Sequence, residues 1–164
     1  MHGFAIPTSA SPTGRALTAL VVAGLLVAGC SRNSGSENAP AACTDGSPVA
    51  RVSSFTAALK NAPAPVRLSD GTSIADCLAH DADSGDIQNV GSMLLTITQH
   101  LVDAPASKAT LVQLGYISGA VHLGASKAQG VDYEIERRIQ QELDGVNRAD
   151  PAFKRGERAG RANG

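Results

Sequence analysis

The 164-residue chain has no tryptophan, and only three phenylalanines and two tyrosines. Carbohydrate-binding platforms and base-stacking nucleic-acid modules rest on exposed rings, so this poverty argues against both. Excess charge is missing as well. A net charge of −1 sets up no global field toward DNA or acidic lipid. No Lys or Arg occurs between Arg67 and Lys108, while Asp70, Asp76, Asp81, Asp83, Asp86 and Asp103 fall in that interval and read as a solvated acidic face. The chain has serines but no nucleophile elbow, and no glycine-rich phosphate loop comes after a strand, so a non-enzymatic protein without a cofactor is expected.

What is present begins at the N-terminus. Arg15 is the only Lys or Arg before Arg32, and the uncharged, mostly apolar stretch over residues 16 to 28 is 13 long. A membrane span needs roughly 20 such residues, so this length fits a secretory hydrophobic region instead. It closes on Leu25-Leu26-Val27-Ala28-Gly29-Cys30, with small residues before the cysteine. The run resembles the lipobox of bacterial lipoproteins. That resemblance implies a signal peptide over residues 1 to 29, cleavage after Gly29, a diacylglyceryl group on the Cys30 thiol and acylation of the new N-terminus. Two or three chains anchor stably where one does not. Ser31, rather than an aspartate, implies transfer to an outer membrane where one exists. The expected location is therefore a cell membrane or outer membrane, with the domain facing the periplasm or the exterior.

A mature chain from Cys30 is one domain by length. With Cys30 lipidated, Cys43 and Cys77 remain as an even pair in an oxidising compartment, and a disulfide between them is expected. Residues 30 to 50 are rich in Ser, Asn, Gly, Pro and Ala and read as a flexible tether.

The helical domain is expected over residues 51 to 147. A first helix from Val52 to Lys60 carries Phe55, Ala58 and Leu59, and Pro63 and Pro65 end it. Ser73 and Asp76 form a capping box before a short helix bearing Ile74, Cys77 and Leu78. Ile87, Val90, Leu94, Ile97 and Leu101 recur at three and four as a packing seam, capped by Asp83 or Ser84 and ending at Asp103-Ala104-Pro105. The short connection implies an antiparallel return from Ser107 to about Ala128. Eighteen residues between Lys108 and Lys127 carry no charge, but their polar side chains and three glycines indicate a buried bundle helix. Gly115 and Gly119, four apart, predict close backbone approach by another helix, either from this chain or from a second subunit or partner. Asp132 then caps a last helix with Ile135, Ile139, Leu143 and Val146 on its apolar side. The fold class is thus all-α, a small antiparallel bundle of about four helices.

Residues 148 to 164 show no apolar period and hold five cations against two acids. They read as a basic, disordered tail able to touch anionic headgroups or an acidic partner. His80, His100 and His122 are the alternative site, that of a small extracytoplasmic metal- or ligand-binding protein or enzyme if their helices converge, although one histidine per segment is a weak zinc pattern. The run from Asp81 to Asp86 looks like the start of a calcium loop, yet its glycine comes one place early and its twelfth position is Ser92 rather than Glu. The expected function is a membrane-anchored interaction or structural module whose partner is another envelope protein or a second copy, with no nucleic acid.

Overall fold

The computed structural model describes residues 39–78, 84–128 and 130–164, and residues 33–164 make a compact unit of their own. The chain is all-α: among the described residues six helices occur and no strand. They are α1 (Ala41–Thr44), α2 (Pro48–Leu59), α3 (Ser84–Asp103), α4 (Lys108–Lys127), α5 (Val131–Glu142) and α6 (Pro151–Asn163).

Helix α4 is the centre. Ser107 caps it, its hydroxyl accepting from the Thr110 amide at 3.0 Å. Every residue from Leu114 through Val121 is buried, because α3, α5 and α6 all pack on this helix. Burial on all sides explains the missing charge over residues 114 to 121, since a charged side chain there has no route to water. None of the described helices is long and apolar enough to cross a membrane.

Helix α5 runs antiparallel to α4: the Gln140 amide donates to the Ser118 hydroxyl at 3.1 Å, and Glu136 meets His122 at 2.8 Å. Ile135, Ile139 and Leu143 form its buried stripe. Its N-cap is Gly130, at φ 101°, a conformation that favours glycine. Asp132 is not the cap but lies buried in the first turn, where a carboxylate faces the positive helix end.

Three boundaries differ from expectation. The tether does not extend to residue 50: Ala39 and Cys43 are buried, and the second half of that stretch forms α1 and the start of α2. Ser47 accepts from the Ala50 amide and Pro48 takes the first helical position, a start signal hidden in a tether-like composition. The Ser73–Asp76 pair makes its reciprocal bonds, Asp76 N to Ser73 Oγ at 3.2 Å and Ser73 N to Asp76 Oδ2 at 3.1 Å, but residues 74 to 78 form turns rather than an α-helix. Residues 151 to 163 are no frayed tail. They form α6, started by Asp150, whose carboxylate accepts from the Ala152 amide at 2.8 Å and from Lys108 Nζ at 2.7 Å. Phe153 is fully buried beneath it.

Candidate functional site

Gly115 and Gly119 face α6, and α6 answers with Gly156 and Gly160. A methyl group added at Gly115 would overlap the Phe153 carbonyl, and one at Gly119 the Glu157 carbonyl. In return, a methyl at Gly156 would overlap the Val112 carbonyl, and one at Gly160 that of Tyr116. These partners advance together along both helices, so α4 and α6 are parallel. Their backbones touch directly, which permits Cα–H to carbonyl contacts along the seam. The face that Gly115 and Gly119 offer is therefore filled from within the chain.

Opposite in character is a cleft between α2 and α3, about 510 Å³ in volume. Val49, Val52 and Met93 line it with apolar side chains, and Arg51, Asn89 and His100 add polar ones. Val49 is 79% exposed. Sequence reasoning missed this feature: two of its nine lining residues, Pro48 and Val49, lie in the stretch of tether-like composition, and the gap itself leaves no pattern in the sequence.

A third feature is basic. Lys108, Asp150, Arg155 and Arg158 surround a depression of about 450 Å³ where α4 and α6 begin. Lys154, Arg158 and Arg161 lie on α6 on the side away from Ala152, Gly156 and Gly160, and Arg155 lies on the flank. Arg161 pairs with Glu157 at 3.0 Å and Lys108 with Asp150, whereas Lys154, Arg155 and Arg158 have no acidic partner among the described residues. The basic composition was legible; the ordered face was not.

The histidines do not make the alternative site among the described residues. His100 is exposed at the α2–α3 cleft, His122 pairs with Glu136 across α4 and α5, and His80 lies outside the described residues. No group of three His, Cys, Asp or Glu is arranged there to hold a metal. Asp81 and Asp83 also lie outside, but residues 84 to 92 are helical, and a calcium loop cannot wrap its ion with helix over those positions.

Cys43 and Cys77 form a disulfide with 5.7 Å between their Cα atoms. Cys30 and residues 1 to 29, expected to be a signal peptide, lie outside the described residues. Around the bridge, the Ser73 hydroxyl lies 2.7 Å from both Asp76 Oδ2 and the Gly164 carbonyl and shares its one hydrogen between them. Burial opposes ionisation of Asp76, but the Ser73 hydroxyl and amide outweigh it, with Lys127 and Arg67 adding to them, and hold its carboxyl below the ordinary range. Burial pushes the Tyr116 phenol up, and its oxygen accepts from the Val66 amide at 2.9 Å, fixing the loop after α2 to the central helix. Comparison with protein-family models, curated proteins and solved structures finds no match to the chain.

Proposed function

We propose that this chain is a bacterial cell-envelope lipoprotein, held to a membrane by acyl groups on Cys30 and acting as a non-enzymatic structural or interaction module. The observation that carries the reading is the run Leu25-Leu26-Val27-Ala28-Gly29-Cys30 behind a short apolar stretch and Arg15. The bridge supports it in two ways. Pairing Cys43 with Cys77 leaves Cys30 as the odd cysteine, and a structural disulfide suits an oxidising, extracytoplasmic compartment.

The mature protein on this reading is a small disulfide-closed helical domain on a short leash. Its role is to present surfaces at the membrane, to another envelope protein or to a second copy. Because the glycine face is filled by α6, such a partner meets the outside of the bundle and not α4. Intact-mass analysis of protein from native membranes tests the anchor. A mature chain starting at Cys30 with added acyl mass is expected, and Cys30→Ser is expected to leave the membrane fraction or remain unprocessed. A mature form starting elsewhere, without acyl mass, overturns the lipoprotein reading.

A further inference from the structure

The outer face of α6 is a one-sided cationic surface on a molecule that is otherwise slightly acidic. Four cations stand on the helix against one acid, and that acid, Glu157, is already engaged by Arg161. Lys154, Arg158 and Arg161 recur at four and three, with Arg155 beside them, while the buried side carries Ala152, Gly156 and Gly160 at four. Helix α6 packs chiefly on α4, and Lys154, Arg155, Arg158 and Arg161 are all exposed. The acidic interval without Lys or Arg, residues 68 to 107, lies on other elements. A chain of net charge −1 has no overall attraction to an anionic surface, so any such attraction has to come from one orientation.

We propose that the outer face of α6, through Lys154, Arg155 and Arg158, docks on the anionic phospholipid headgroups of the membrane that carries the anchor, and so orients the domain. This inference rests on the lipoprotein reading for the nearness of that membrane. Nine residue steps separate Cys30 from Ala39, which even fully extended reach only about 30 Å. The leash therefore keeps the domain within about its own diameter of the bilayer, and a charged face can come within the roughly 8 Å over which salt leaves its attraction unscreened. The entry point is also close to α6 in contacts: Cys43 is bridged to Cys77, the Cys77 amide donates to the Ser73 carbonyl, and Ser73 bonds Gly164 at the end of α6. The acyl chains hold the domain at the bilayer, and the basic patch adds the orientation that the chains alone do not set.

The test uses residues 33 to 164, the compact unit, with its disulfide intact and no Cys30, so the result does not depend on acylation. Sedimentation with vesicles of phosphatidylglycerol and phosphatidylcholine is compared with phosphatidylcholine alone. Binding to the anionic vesicles only, weakened at raised salt, is expected. Arg155→Gln with Arg158→Gln should weaken it about tenfold or more, while Lys60→Gln at the end of α2 should leave it within twofold. Circular dichroism checks that each variant keeps its helix content. Equal binding to both vesicles, none to either, or an equal loss in the Lys60 variant overturns the proposal. So does the outcome in which vesicles are ignored but the arginine variant loses crosslinking to an acidic envelope protein. Acyl mass absent from Cys30 with vesicle binding intact would fail the anchor and not the surface.

Discussion

The α4–α6 seam and the α2–α3 cleft are two helix pairs built on opposite principles. In the seam, side chains have been removed until carbonyls lie where Cβ atoms would be, at Gly115, Gly119, Gly156 and Gly160. In the cleft the side chains are retained, yet they leave about 510 Å³ open and Val49 largely in water. Each helical glycine costs about 1 kcal/mol relative to alanine, so four of them imply contacts that more than offset it. Interaction is thus least accessible where packing is closest, and most accessible where it is loose. The loose side is also the side secured covalently: α1, which carries Cys43, packs on α2 and α3.

Breaking that covalent link should have the largest effect. Cys43 and Cys77 are 34 residues apart, and closing a loop of that length stabilises by about 3 to 4 kcal/mol in the chain-entropy account. Cys77→Ala is expected to lower the melting temperature by roughly 10 to 20 °C, and reduction of the wild type should do the same. A change of less than about 2 °C on reduction would mean that contacts alone close the loose side.

The two pairs can then be contrasted with one kind of substitution. Gly119→Leu drives a side chain into the Glu157 carbonyl, and Gly156→Leu does so from the other helix into Val112. Overpacking typically costs about 1 to 3 kcal/mol, and here rigid backbone has to move, so the upper end is expected. Asn89→Leu also adds bulk, but at an exposed position lining the cleft, and should change stability by no more than about 0.5 kcal/mol. Thermal melts of the three variants decide it. Equal losses at Gly119 and Asn89 would erase the distinction.

How legible these pairs are in the sequence depends on what buries them. Helices α3, α4 and α5 are readable because Ile87, Leu94, Ile97, Leu114, Ile117, Ile135 and Ile139 bury apolar side chains, which leave a period in the letters. Gly115 and Gly119 announce a close approach, but not by what. Helix α6 has the composition of a disordered tail because backbone burial leaves no apolar period. Its signal is a spacing of four among small residues, Ala152, Gly156 and Gly160, matching that on α4, behind an Asp150-Pro151 start. The cleft is illegible for another reason: a void is a property of two surfaces, and no residue in it encodes the gap. The proposed anchor at Cys30 rests only on the resemblance of residues 25 to 30 to a lipobox.

The smallest expected effect is a pH dependence, and it separates the regions again. Asp150 joins the starts of α4 and α6, and its bonds from Lys108 and from the Ala152 amide hold its carboxyl below the usual 3.8. On α5, Arg137 and Arg138 lower Glu134 from 4.5 to about 2. A carboxylate whose folded pKa is depressed contributes stability above its unfolded value and loses it as pH falls through the folded one. Melting temperature should therefore hold above about pH 4.5 and decline toward pH 2, with the disulfide on the cleft side contributing no titration of its own. Asp150→Asn should remove part of that slope while leaving the parts due to Glu134 and Asp76, and Glu134→Gln should remove a different part. An acid slope unchanged by Asp150→Asn would show that the Lys108–Asp150 link carries no weight in seating α6. Flattening would place part of the acid sensitivity at the point where the glycine seam begins.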